Sequence, residues 1–363
     1  MDIKPIQDEK RAFMTGNEVI VWGALAAGAD IMYGYPITPQ NEIMHYWTRL
    51  VPKYKKDFLQ TEDEISAGFT TVGGVLAGKR AFTATAGPGN VLMQEALSMA
   101  EMMRLPTVVI VTQRGGPSTG TVIYSQQEVN LTCFGGNGEG LRIVYSTSSH
   151  QELFNYTIKA FNTAWKYRFP TFVLSDGYQS KMREPVTIYD PEEKGITIEP
   201  TESLLGLPGT PGVERDPAHL RNTYNLEDEL YNVVKSSVKE YNSIISKIVE
   251  YDTYAVEDAK VLIIAHGVVS RAAKAAISSL REKGIKAGYF RPITLRPFPD
   301  EALRSLVDNV DHIVVAESAY GQLENIVKNN LYGFNIPIIG YLRPGMGITP
   351  EEITDFVKAE LSL

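Results

Sequence analysis

Between residue 13 and about residue 190, short apolar runs alternate with helix-period patterns, and this alternation restricts the fold more than any other feature of the chain. Residues 107–112 (TVVIVT) carry no charge, as a strand buried on both faces of a parallel sheet requires. Residues 18–27 read as a helix, and 30–33 as a strand that ends in the turn Gly34-Tyr35-Pro36. Ile43, Met44, Trp47 and Leu50 follow at i, i+1, i+4 and i+7, the buried face of a second helix. The alternation continues with strand 58–61, helix 64–77, strand 81–84 and helix 90–103. Ala67, Gly68, Gly73 and Gly74 permit close packing of the helix at 64–77. Strand 141–145, helix 151–167 and strand 171–174 complete the unit. The predicted class is α/β, with a parallel sheet covered by helices on both faces.

At roughly 100–200 residues per domain, a chain of 363 residues is expected to hold two. The first spans 13–190. Pro191, Pro200, Pro208, Pro211 and Pro217 mark a connecting excursion over about 187–224. Leu226, Leu230, Val233, Val234, Val238, Tyr241, Ile244, Ile245, Ile248 and Val249 then form one stripe. They predict a packing helix on the order of 40 Å long, so 191–256 reads as linker plus long helix. A second α/β unit fills 257–363, with strands at 261–265, 286–290, 312–316 and 337–341. Helices are expected at 271–283, 300–307, 321–331 and 350–361; Gly284 and the run Thr349-Pro350-Glu351-Glu352 supply a stop and a start.

Composition removes several function classes. The balance of Lys+Arg against Asp+Glu is 35 − 43 = −8, and no basic stripe is visible, which argues against a nucleic-acid partner. Cys133 is the single cysteine, so this chain alone holds neither a disulfide framework, a Cys-rich zinc site nor an iron–sulfur cluster. Cys133 reads as an inert thiol, and Met93, Met99, Met102 and Met103 as core. His45, His150, His219, His266 and His312 show no metal spacing. No window approaches the roughly 18 apolar residues of a membrane span. The opening MDIKPIQDEKRAFM lacks the apolar core of a signal peptide, so no membrane association and a cytoplasmic location are expected.

Gly73, Gly78 and Lys79 imitate a phosphate-binding P-loop, but Arg80 stands where Ser or Thr is needed, and the glycines precede a strand instead of following one. The turn at 34–42 (GYPITPQNE) is more informative: it leaves a strand and opens a helix, with Thr38 expected as N-cap and Pro39 as the first helical residue. Such a position, just beyond the carboxyl end of a parallel strand, is where α/β proteins bind ligands, although a plain capping motif reads the same way. Glu62-Asp63-Glu64 sits at a second strand-to-helix junction, where acids also simply favour the helix dipole. ATAGPGN (84–90) and TQRGGPSTG (112–120) each follow a strand. Arg114, at the end of an apolar strand, is costly to bury unless it meets an anion. These loops share one sheet edge and predict a site there without naming its chemistry.

The strings GYPITP (34–39), QTEDEISAG (60–68), TATAGPG (83–89), LMQEAL (92–97) and QRGGPSTG (113–120) resemble the alpha subunit of the thiamine diphosphate-dependent 2-oxoacid:ferredoxin oxidoreductases. RPFPDEAL (296–303), VVAES (314–318), GQLENIV (321–327) and YLRPG (341–345) resemble the transketolase C-terminal-like domain of that family. The resemblance implies that the first domain is a pyrimidine-binding module. Glu64 would hydrogen-bond N1′ of the aminopyrimidine as the essential carboxylate, with Glu62 as alternative. Thr38 and Arg114 would bind the substrate, Arg114 by pairing with the 2-oxoacid carboxylate. Tyr35, Pro36, Gly87, Pro88, Gly89, Gly115 and Gly116 would line the cofactor cleft.

The resemblance implies the remainder of the machine through what this chain lacks. It has no Gly-Asp-Gly for the diphosphate, since Asp176-Gly177 is preceded by Ser175, and it has no cluster cysteines. A beta subunit would bring Mg2+, the diphosphate contacts and an iron–sulfur (4Fe-4S) cluster. Gamma and ferredoxin-like delta subunits are further candidate partners. The implied reaction is coenzyme A-dependent oxidative decarboxylation of a 2-oxoacid, with electrons passing to ferredoxin, and the chain alone is expected to be inactive. TATAGPG and QRGGPSTG look more like the 2-oxoglutarate members than the branched-chain ones. 2-Oxoisovalerate and pyruvate remain alternatives, as does a scaffold subunit that kept the fold without the chemistry. Of the candidates for a distal substrate carboxylate, His45 reads as lying on a packed helix face and Arg49 as pointing to solvent.

Overall fold

The computed structural model describes residues 4–205 and 220–361; Pro208, Pro211, Pro217 and His219 lie outside the described residues. The chain opens with a strand β1 (Lys10–Thr15) and a helix α1 (Gly16–Ala26), whose start is fixed by a reciprocal capping box between Thr15 and Glu18. The predicted alternation follows: β2 (Ile31–Gly34), α2 (Asn41–Tyr54), β3 (Asp57–Gln60), α3 (Glu64–Leu76) and β4 (Ala81–Thr85). The helix expected over 90–103 is two pieces, α4 (Pro88–Leu92) and α5 (Gln94–Met102). Next come β5 (Val108–Gln113), α6 (Val129–Phe134), β6 (Ile143–Ser146), α7 (His150–Tyr167), β7 (Thr171–Asp176), the short α8 (Gly177–Lys181) and β8 (Arg183–Ile188).

β2 to β7 pair in parallel in the order β6-β7-β5-β4-β2-β3, so their carboxyl ends share one edge. β1 and β8 form a separate antiparallel ribbon that the sequence pattern does not show, because KRAFMT and REPVTI mix charge with apolar residues and REPVTI carries a proline. One face of the main sheet is filled by Val19, Ile20, Trp47, Phe82, Phe154 and Phe161 from α1, α2, β4 and α7.

A one-turn 3-10 helix at Pro191–Lys194 leads away from the first unit. The long helix α9 (Glu227–Ile248) has 22 residues, or about 33 Å, shorter than its apolar stripe predicts. Glu227, Asp228 and Glu229 in its first turn suit a helix N-terminus. Only its last turns are buried, through Tyr241, Ile244 and Ile248, while Leu226 and Leu230 are exposed. The second unit contains β9 (Tyr251–Tyr254), β10 (Val261–Ile264), α10 (Val269–Glu282), β11 (Ala287–Pro292), β12 (Thr294–Arg296) and α11 (Asp300–Val307). It ends with β13 (His312–Glu317), α12 (Gln322–Asn330), β14 (Ile338–Leu342) and α13 (Pro350–Glu360).

The second sheet runs β14-β13-β10-β11-β9, parallel except for β9. β12 leaves it and adds antiparallel to β6, as the edge strand of the first sheet. The other face of the first sheet, through Val109, Val111 and Phe172, shares one apolar cluster with Leu262, Ile264, Phe290 and Val315 of the second. The two units therefore have one continuous core between them.

Candidate active site

Four chain segments meet where β2, β3, β4 and β5 end. After β2, Asn17 Nδ2 donates to the Pro39 carbonyl at 2.9 Å and to Glu42 Oε2 at 2.7 Å, and Gln40 Nε2 donates to the Tyr35 carbonyl at 2.9 Å. These bonds shape the 35–40 turn. Thr38 is not the N-cap and Pro39 is not the first helical residue: Gln40 precedes α2, and no side chain caps it. The reason is the Ile37 carbonyl, which accepts from the amides of both Gln40 (3.0 Å) and Asn41 (2.9 Å) and takes up the donors that a capping hydroxyl would serve. The Thr38 hydroxyl is thereby released from a capping role.

The three acids after β3 have separate fates. Asp63 caps α3, accepting from the Ser66 amide at 2.7 Å, and that bond holds its carboxyl below the usual range. Glu62 is exposed and borders a surface groove with Leu59, Ile65 and Phe69. Glu64, the first residue of α3, is 5% exposed. Burial pushes its carboxyl up, helped by Asp63, against its own backbone amide and Arg114, which pull it down.

Glycine is required where the next loop passes. A Cβ on Gly89 would lie 2.6 Å from Cγ and Oε1 of Glu64, and one on Gly87, whose φ is +51°, would lie 2.6 Å from Arg114 Nε. The 87–89 loop is thus a bare backbone wall against which one carboxylate and one guanidinium rest. Pro88 between them starts α4. Arg114 is 5% exposed; Nη1 donates to the Thr38 carbonyl at 2.8 Å, and its buried Nε has no partner. The guanidinium sits within electrostatic reach of Glu64 and Glu128, which meets the expectation of an anion beside it with two protein carboxylates.

Gly115, buried, and Gly116, half-buried, follow Arg114 at the start of the loop. The Gly115 amide donates to Thr121 Oγ1 (3.1 Å), the Thr121 amide donates back to the Gly115 carbonyl (2.9 Å), and residues 117–123 between β5 and the strap that follows are exposed. Tyr35 is half-buried and Pro36 exposed at the mouth of the turn. Arg114 is therefore brought against the Thr38 carbonyl and Gly87, and Glu64 against Gly89, with Pro88 in the wall between, while Tyr35, Pro36 and Gly116 are more exposed and Gly115 is buried beside Thr121.

Glu128 has no motif to announce it, although its partner Asn90 closes the ATAGPGN string. Glu128 is buried and accepts from the Arg114 amide (2.9 Å) and from Asn90 Nδ2 (3.1 Å). Asn90 also reaches Thr132 Oγ1 at 3.2 Å. Of the other sequence candidates, His45 is exposed although Met44 and Trp47 beside it are buried, because it sits one helical step off their face. Arg49 is also exposed, over the Tyr46 ring.

Gly78 ends α3 at φ +83°, and nothing there resembles a phosphate loop. Met93 is fully buried, and Met99 and Met103 pack against a neighbouring core cluster. Burial pushes the Cys133 thiol up to about 12, which makes it unreactive. Asp176 is consumed as the cap of α8, accepting from the amides of Tyr178 and Gln179 at 3.0 Å. Among the described residues no group of three His, Cys, Asp or Glu could hold a metal ion, and no helix is long and apolar enough to cross a membrane.

Comparison with known proteins completes the picture. Residues 22–253 match the family described as pyruvate flavodoxin/ferredoxin oxidoreductase, thiamine diP-binding, and residues 259–353 match pyruvate:ferredoxin oxidoreductase core domain II. The ketoisovalerate oxidoreductase subunit VorB of Methanothermobacter marburgensis is 35% identical over 315 residues, covering 86% of this chain and 88% of its own. The 2-oxoglutarate synthase subunit KorA of Methanocaldococcus jannaschii is 36% identical over 337 residues, covering 86% and 90%. The solved 2-oxoglutarate:ferredoxin oxidoreductase from Magnetococcus marinus, with 2-oxoglutarate, coenzyme A and succinyl-CoA bound, superposes with a TM-score of 0.86 at 29% identity. That match covers 97% of this chain but 65% of the other, so this chain spans about two thirds of its length. A split-gene transketolase (TM-score 0.60, 14% identity) shares the fold.

Proposed function

The chain belongs to the pyruvate flavodoxin/ferredoxin oxidoreductase family, and from that premise we propose that it supplies the pyrimidine-binding half of a thiamine diphosphate site in a 2-oxoacid:ferredoxin oxidoreductase. The single observation that carries this reading is the contact of the buried Glu64 with the Gly89 wall, beside Arg114 and Thr38. The residues present fit the pyrimidine half of the cofactor: a desolvated carboxylate, a side-chain-free wall and a cation with a free N–H in one cleft. Bound thiamine diphosphate supplies the electron sink that decarboxylation of a 2-oxoacid requires.

Glu64 holds the ring nitrogen N1′ by a hydrogen bond, and its upward-shifted carboxyl suits it to share a proton there. Arg114 pairs with the C1 carboxylate of the substrate, and the Thr38 hydroxyl hydrogen-bonds close to the reacting carbon. Residues 13–190 act as the pyrimidine module, 191–256 as connector and packing helix, and 257–363 as the transketolase C-terminal-like unit. A beta subunit supplies the diphosphate contacts, Mg2+ and the iron–sulfur cluster. Coenzyme A takes the acyl group, ferredoxin takes the electrons, and gamma and delta subunits complete the assembly in the cytoplasm.

A Glu64→Gln variant of the complex reconstituted with its beta subunit tests the reading, because Gln cannot share the proton. Turnover is expected to fall at least a hundredfold, or about 2.7 kcal/mol at 1.36 kcal/mol per tenfold. Unchanged turnover would leave a scaffold role as the better reading.

2-Oxoglutarate is the favoured substrate, on the TATAGPG and QRGGPSTG strings. The VorB relative, named for ketoisovalerate and 35% identical against 36% for the KorA relative, supports 2-oxoisovalerate as the second reading. Comparing kcat/KM for 2-oxoglutarate, 2-oxoisovalerate and pyruvate with viologen as acceptor decides between them. A preference for 2-oxoglutarate below about tenfold, or ~1.4 kcal/mol, rejects the first reading.

A further inference from the structure

β4 and β5 stop pairing before the cleft: the last β4–β5 partners are Thr85 and Val111, and β5–β7 pairing ends at Gln113 and Asp176. The amide of the buried Arg114 lies beyond these points and has no strand to bond. A buried amide without an acceptor costs about 1–3 kcal/mol, so something must replace the ladder. That acceptor is Glu128. One of its oxygens accepts from the Arg114 amide at 2.9 Å and the other from Asn90 Nδ2 at 3.1 Å, next to the end of the Gly87–Gly89 wall. Every donor is an N–H, which a carboxylate satisfies and an amide side chain cannot fully match.

Glu128 is itself held from outside the cleft. The strap 125–130 is stitched to the second unit: the Gln126 amide donates to the Ser318 carbonyl, the Ser318 amide donates to Gln126 Oε1 (both 2.9 Å), and Gln126 Nε2 donates to the His266 carbonyl at 2.8 Å. Gln322 Nε2 donates to the Gln127 carbonyl at 2.7 Å, and the Asn130 amide to Gln322 Oε1 at 2.9 Å. The carboxylate is thus anchored independently of the exposed 117–123 loop.

We infer that Glu128 is a positioning residue, which fixes the backbone of Arg114 and, through Asn90, the end of the glycine wall, so that the guanidinium meets the substrate carboxylate in one geometry. The inference rests on the reading of Arg114 as the carboxylate-binding group. It also assigns the second unit a share in substrate binding, because that unit holds the strap.

The test uses the reconstituted complex with Glu128→Gln, Arg114→Ala and the double variant. Glu128→Gln is expected to raise KM about tenfold for 2-oxoglutarate and 2-oxoisovalerate alike, since both present the same C1 carboxylate, with kcat changed less than threefold. In the double variant it should add less than threefold to the effect of Arg114→Ala, because a residue that acts through Arg114 has nothing left to position. If Arg114→Ala raises KM and Glu128→Gln does not, or if the two effects multiply, the inference falls and the functional reading stands. If Arg114→Ala leaves KM normal, both fall. Amide hydrogen exchange on the native full-length chain gives a readout free of activity and of any folding defect in the variants. The Arg114 amide should be protected although it lies past the last β4–β5 partners, and fast exchange there would overturn the inference.

Discussion

The Arg114 side chain can be removed without disturbing the bond that Glu128 makes to the backbone, so Arg114→Ala separates the guanidinium from its support. Loss of one charge-assisted pair costs about 1.5–3 kcal/mol, so KM for the 2-oxoacid should rise roughly ten- to a hundredfold in steady-state kinetics, with cofactor affinity little changed. A normal KM for every 2-oxoacid tested would take Arg114 out of the site. Glu64, Thr38 and Arg114 are legible in the sequence because each stands in a short string directly after an apolar strand, where a parallel sheet collects its loops. Glu64, the first residue of α3, lies under the Gly89 backbone while Glu62, before the helix, faces solvent, which supports Glu64 as the proposed carboxylate. Glu128 is illegible, since QQEVN has no spacing to mark it and its donors lie 38 and 14 residues away. The expected cap at Thr38 misleads because a backbone carbonyl competes for the same amides.

Among the elements, the glycine wall between β4 and α4 makes the firmest structural demand. Gly89→Ala puts a methyl 2.3 Å from Thr85 Oγ1 and 2.6 Å from the Glu64 side chain, so the carboxylate and the Thr85 hydroxyl must give way. Thiamine diphosphate titration of the reconstituted variant should show at least about a tenfold loss of affinity, ~1.4 kcal/mol, with the melting temperature little altered. Gly73→Ala is the control: nothing lies within 4 Å of its Cβ position in α3, so helix propensity should add about 0.5–1 kcal/mol of stability. Affinity unchanged by Gly89→Ala would mean that Glu64 moves aside at no cost. Central elements are readable because burial on two faces leaves a strong apolar signature, as in β5. β1, β8, β9 and β12 are not, because an edge strand is specified by the neighbour it pairs with and not by its own pattern.

Across the whole molecule, the shared core places His266 in the interior between the units, with Nδ1 at 2.9 Å from Ser146 Oγ. Burial, reinforced by Arg291, lowers its pKa to about 3. The unfolded chain, with His near 6.5, binds a proton between those values and the folded chain does not, so this residue's contribution to stability is full above pH 6.5 and is lost as pH falls toward 3. The slope is at most about 1.4 kcal/mol per pH unit. Asp176, raised to about 7 by burial, acts in the opposite direction between about pH 4 and 7 and offsets part of the His266 slope in the native chain. His266→Gln should therefore lose less melting temperature than the native chain between pH 6.5 and 5 in scanning calorimetry. Equal slopes would mean that His266 titrates alike in both states. The pairing of β12 with β6 has a consequence for how the chain is made. Some 150 residues separate Ser146 from Thr294, and at about 5–20 residues per second a ribosome needs roughly 7–30 s to deliver them. Throughout that interval the nascent first sheet presents an open row of donors and acceptors along β6, so the hazardous edge belongs to the growing polypeptide and is closed in the finished one.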